Sequence, residues 1–153
     1  MRSDYLNKNS SSFLAEAGGT HVMKIAATLT DFTDGGSTSG TYAYTAEKLP
    51  AGAIVQNSVI HIKRETGAST LTMEIGDGSD ADRFNASSDP SLDTVGIVSG
   101  GAPQGTALCD AETSITLTVT EGSDFGDVTV LDFDVFLFYF CPGELQTQKD
   151  SSF

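Results

Sequence analysis

Tryptophan is missing from this chain, and histidine, cysteine, proline and cationic residues are scarce: two, two, four and eight in 153 residues. Each scarcity argues against something. Without an indole there is no Trp platform of the kind that sugar-binding sandwiches stack on. Two cysteines, Cys109 and Cys141, make no metal-binding spacing. They read as reduced, partly buried thiols, with a disulfide as the alternative should the protein meet an oxidising medium. His61 sits beside Ile60 and Ile62, where a solvent-facing or hydrogen-bonded imidazole is expected rather than a ligand or general base, and His21 has no nucleophile context. Eight cations against 21 acids leave a net charge of −13. Such a surface repels phosphate backbones, so neither nucleic acid nor an anionic membrane is an expected partner. No apolar run approaches a membrane span, and the opening MRSDYLNKNSSSF has no hydrophobic signal region. Synthesis in a cytoplasm without a targeting step is the expectation.

Catalytic patterns are equally thin. There is no GxSxG, Cys109 precedes an Asp in a turn, and the GxG sequences lie in Ser- and Asp-rich turns without a following helix. Asp77, Asp80 and Asp82 invite a calcium reading, but neither frame puts ligands at the EF-hand positions or a Glu at the twelfth. A solvated turn is the expectation there, with no metal, no cofactor and no enzyme activity.

What is present is strand. Met23, Ile25, Ala27 and Leu29 alternate with polar or small residues, Tyr42 and Tyr44 share one face of residues 41–49, and Leu71, Met73 and Ile75 alternate with Thr70, Thr72 and Glu74. Ile115, Leu117 and Val119 alternate with Ser114, Thr116 and Thr118. Further strands are expected at residues 54–65, 94–98, 106–109 and 128–141, the last being the longest. A polar loop spans residues 77–90, pinned only by Phe84, and Gly-rich residues 99–105 form another loop. Seven or eight short strands separated by Gly-rich turns predict an all-β fold: a single β-sandwich or jelly-roll-like domain at residues 20–142. An extended N-terminal arm (1–19) and a short C-terminal tail (143–153) flank it.

The final strand is apolar on both faces. Leu131, Phe133, Val135, Leu137, Tyr139 and Cys141 make a core face; the other runs Val130, Asp132, Asp134, Phe136, Phe138, Phe140, changing from acidic to aromatic midway. A strand covered on both sides needs a second covering layer. A loop or the N-terminal arm would supply one; a subunit interface at Phe136, Phe138 and Phe140 is the favoured reading.

The segments LPAGAIV (49–55) and GDGSDADRF (76–84) carry a family likeness. They resemble small all-β structural proteins of tailed bacteriophages, the capsid decoration or cement type, although Arg83 stands where small or acidic residues are more usual. The resemblance implies a virion structural protein on the outer capsid surface that stabilises the shell. It would act as a homo-oligomer, expected to be a trimer, bound to the major capsid protein. The arm, with Tyr5, Leu6, Phe13 and Leu14 as its anchors, would be the capsid contact. A phage fibre or receptor-binding tip, or a carbohydrate-binding β-sandwich module, is the alternative.

Overall fold

Strands form where apolar side chains alternate with Thr, Ser and charged residues, since only a period of two puts one set inward and the other outward. The computed structural model describes residues 20–68, 70–85, 90–104 and 107–141. Among these are eight strands: β1 (His21–Thr28), β2 (Thr33–Asp34), β3 (Ser39–Leu49), β4 (Ile54–Ile62), β5 (Thr72–Gly76), β6 (Gly96–Gly101), β7 (Thr113–Thr120) and β8 (Asp132–Phe140). Every pairing is antiparallel. One sheet has the order β1-β8-β4-β6 and the other β2-β3-β7-β5, so the fold is the expected all-β sandwich. The arm and tail, with Tyr5, Leu6, Phe13 and Leu14, lie outside the described residues.

The core is what the two inner faces share. Met23, Ile25 and Ala27 of β1, Phe133, Val135 and Leu137 of β8, and Val55, Ile60 and Ile62 of β4 meet Met73, Ile75, Ile115, Leu117 and Val119 from the other sheet; all are buried. Phe32 closes one end, its ring 5.8 Å from Tyr42, 6.1 Å from Phe125 and 6.0 Å from Phe133.

Local chemistry sets where strands stop. The Asp31 carboxylate accepts the Thr28 N–H at 2.8 Å, ending β1 in the 3-10 turn Leu29–Asp31. The LPAGA motif is a turn in which Ala53 N–H donates to the Pro50 carbonyl at 3.1 Å. Gly52 there has φ +85°, a conformation that favours glycine. At Gly76 the backbone of Asp80 and Ala81 comes so close that a Cβ would collide with their carbonyl groups.

Four boundaries differ from the sequence reading. β8 has nine residues and begins at Asp132, so β3, with eleven, is longer. Val128 and Leu131 are buried, but Val128 N–H closes the turn Phe125–Asp127; apolar alternation there marks burial, not pairing. β4 ends at Ile62, where Lys63 adds one more bond by donating its N–H to the Asp132 carbonyl at 2.9 Å. β6 lies later than expected, taking in glycines read as loop. The 106–109 region makes only a bridge, Leu108 opposite Ile54.

Candidate interaction surface

Each sheet has an inner face in the core and an outer face, and the two outer faces differ in chemistry. On the β2-β3-β7-β5 sheet, Thr33, Thr41, Thr118 and Glu74 form one cross-strand row, and Ser39, Thr120 and Thr72 another. These side chains hydrogen-bond well to water. Nothing about that face is costly to leave wet.

The outer face of the β1-β8-β4-β6 sheet is the opposite. Residues paired across strands point to the same side, so its rows can be read from the register. Phe140 and Leu108 flank Ile54. Val22 pairs with Phe138, which pairs with Asn57; Lys24 pairs with Phe136, which pairs with Val59. Ala26, Asp134, His61 and Ile97 make the next row, followed by Thr28 and Asp132. Val22, Ile97 and Leu108 are 52%, 69% and 40% exposed, and Phe136, Phe138 and Phe140 are half-buried. Large aliphatic groups are thus exposed on this face alongside half-buried aromatic ones.

The charged half of the face is self-compensated. Asp134 receives Lys24 Nζ at 3.3 Å on one carboxylate oxygen and Lys63 Nζ at 3.2 Å on the other, and Lys63 also reaches Asp132 at 2.8 Å. Burial alone would raise the Asp134 pKa, but hydrogen bonds from Lys63 and Lys24 outweigh it and hold the carboxyl below its ordinary value. Lys63 is shifted up, first by its hydrogen bond to Asp132 and then by that to Asp134. Lys24 Nζ also stands 5.9 Å from the centroid of the Phe136 ring, joining the charged half to the aromatic one.

The three phenylalanines singled out from the sequence therefore share one face, Phe138 and Phe140 at the end of β8 away from the lysines and Phe136 beside Lys24. Sequence reasoning missed Val22, Ile54, Val59, Ile97 and Leu108. A signal existed: Val22 next to buried Met23, and Ile97 next to Val98, are adjacent apolar pairs, and in a strand one member of such a pair must face outward.

The acidic loop is more ordered than a solvated turn. Asp77 Oδ1 accepts the Ser79 N–H at 2.8 Å, the Ser79 hydroxyl at 2.7 Å and the Asp80 N–H at 2.9 Å. Its Oδ2 takes Arg83 Nη1 at 2.5 Å. Partial burial pushes the Asp77 pKa up, yet Arg83 and the three turn donors hold it well below the usual carboxylate range. Arg83 also donates to the Leu108 carbonyl at 2.7 Å, tying this loop to the 107–109 segment. Among the described residues, no group of three or more His, Cys, Asp or Glu side chains is placed to hold a metal ion. Two hollows, of about 290 Å³ beside Thr66 and Glu121 and about 270 Å³ beside Asp77 and Asp110, fall below the ordinary size of a ligand pocket.

His61 is half-buried on the apolar face between Asp134 and Ile97, and His21 stacks on Tyr139 with centroids 5.3 Å apart. Cys109 and Cys141 are both buried thiols. Cys109 N–H donates to the Ala53 carbonyl on one side of the β4 entrance, while Cys141 follows Phe140, which pairs with Ile54 on the other. Two strand spacings, about 9–10 Å, separate such positions. A disulfide needs Cα atoms within about 7 Å, so the pairing left open by the sequence does not fit this fold.

No protein-family model matches this chain, and no curated protein matches it. Among solved structures, the fold is similar to that of a chain in the cyanophage Pam1 capsid asymmetric unit, with a TM-score of 0.58 at 19% sequence identity. The likeness covers 81% of this chain and 86% of that one. At that identity the similarity is one of fold: an all-β sandwich also found in a phage capsid.

Proposed function

We propose that this chain is a virion structural protein that decorates a phage capsid from outside and stabilises it, without catalytic turnover. The observation that carries the reading is the contrast between the two outer faces, one hydroxyl-lined and one apolar, on a fold shared with a chain of a phage capsid. A protein with one wet face and one apolar face suits a place in a larger assembly. The strand order also fits a jelly roll. Every step between consecutive strands except β2 to β3 crosses between the sheets, and the first and last strands lie side by side. The net charge of −13 suits an outer surface in salt better than a lining against packaged DNA.

In this reading the protein works as a homo-oligomer, a trimer, with its apolar face covered inside the assembly. Residues 1–19, through Tyr5, Leu6, Phe13 and Leu14, bind the major capsid protein. Binding only to the assembled shell stabilises that shell by mass action. The test is to count copies per purified particle and to heat particles with and without the protein. Hundreds of copies and a lower bursting temperature on removal support the proposal. A few copies per particle, with loss of adsorption to cells and no change in bursting, would mean a receptor-binding tip instead.

A further inference from the structure

Resting on that reading, we infer that the outer face of the β1-β8-β4-β6 sheet is where copies of this chain meet. Their rotation axis, twofold or threefold, runs parallel to the strands, so that the start of β1 and the end of β8 lie at the same end of the assembly in every copy.

Charge selects the partner. Copies carrying −13 each repel one another over most of their surface. On this face two lysines, Lys24 and Lys63, balance two aspartates, Asp132 and Asp134. It is a charge-neutral approach on a strongly acidic body, and Val22, Ile97 and Leu108 are already exposed there. Four strands at about 4.8 Å spacing and eight or nine residues at about 3.3 Å give a face of roughly 500 Å². Two such faces bury about 1,000 Å² in total, the floor for a specific interface. The contact thus clears that floor narrowly, and association is expected to be reversible and concentration-dependent.

The division of the face sets the orientation. Phe138 and Phe140 occupy one end of β8; Asp132, Asp134 and the two lysines occupy the other. An axis across the strands would press the aromatic end of one copy onto the ion cluster of the next, desolvating charges against rings. An axis along the strands puts aromatic on aromatic and lets lysines and aspartates pair between copies. The chain enters β1 at His21, opposite Tyr139, and leaves β8 at Phe140, so both ends depart from the aromatic end.

Sedimentation equilibrium of the full chain tests the surface. Ile97→Asp alters an exposed side chain, so the fold should survive, and the dissociation constant between copies should rise at least about tenfold. Thr118→Asp, on the opposite outer face, should change it little. A wild-type chain that stays monomeric at about 100 μM, or an equal loss with Thr118→Asp, would overturn the inference. Cross-linking an equal mixture of Thr20→Cys and Thr28→Cys chains tests the orientation. Links joining 20 to 20 and 28 to 28 are expected; links predominantly joining 20 to 28 would overturn it. A monomer that still binds and stabilises capsids sinks this inference and the trimer with it, and leaves the capsid-decorating role standing. An oligomer that leaves capsids unaffected does the reverse.

Discussion

The side chain of Asn85 stands in for a neighbouring strand beside Ile75, accepting its backbone N–H at 3.0 Å while its own amide donates to the Met73 carbonyl at 3.0 Å. Both contacts are buried at the edge of β5, where Phe84 N–H also reaches the Ile75 carbonyl at 2.8 Å. Asn85→Ala would strand a buried donor and a buried acceptor, each costing about 1–3 kcal/mol. Urea unfolding should show a lower midpoint by that order with an unchanged slope. A midpoint equal to wild type would mean that the edge is satisfied in another way.

Acid should destabilise the fold through Asp77. Its folded carboxyl titrates well below the value near 3.9 of an unfolded Asp. A depressed carboxylate stabilises the fold above the unfolded value, and that contribution is lost as pH falls through the folded one. Asp134 and Glu121 are shifted the same way, Asp134 against its burial by Lys63 and Lys24, and Glu121 mainly by the Ser123 N–H and hydroxyl. The thermal midpoint should therefore decline as pH drops below about 4. Asp77→Asn should lower the neutral-pH midpoint and make the acid decline shallower, as followed by circular dichroism.

The ion cluster predicts a second limb at high pH. Lys63 is raised above its ordinary value by Asp132 and Asp134, so its contribution is complete below that value and fades as pH rises through the folded one. Asp132→Asn should weaken this alkaline decline while leaving most of the acid limb. If the alkaline limb persists unchanged, Lys63 is not its source.

Cys109 and Cys141 should stay unlinked. Native protein treated with a mild oxidant should keep both thiols within one chain, and iodoacetamide should label them only after denaturation, because both are buried. A mass two daltons lighter, with the two cysteine peptides joined, would contradict the geometry.

The sequence carries much of this fold in its periodicities. Ile115, Leu117 and Val119 announce β7 because hydroxyl residues separate them, and Phe84 announces itself as the single large apolar group in a polar loop. The doubly apolar β8 points to an outer patch for the same reason: one strand cannot hide two faces in one core. The rest depends on which strands become neighbours. Val22, Val59 and Ile97 are single residues far apart in the chain, and only the order β1-β8-β4-β6 brings them to one surface. Asn85 has no period at all; its importance comes from lying beside an open edge. Arg83, a departure from the family-like motif, turns out to clamp Asp77 to the 107–109 segment. Gly100 and Gly101 of β6 read as loop because two adjacent glycines carry no side chains to show alternation.

The position of β8 between β1 and β4 has a consequence for how the molecule is made. During synthesis both neighbours of the missing strand emerge before it does. The sheet gains its centre only when Phe140 leaves the ribosome, so the first strand waits for nearly the whole chain before it has a partner. Such long-range closure is slow. A premature stop before Asp132 would not yield a smaller sandwich but a chain with a gap through the middle of one sheet.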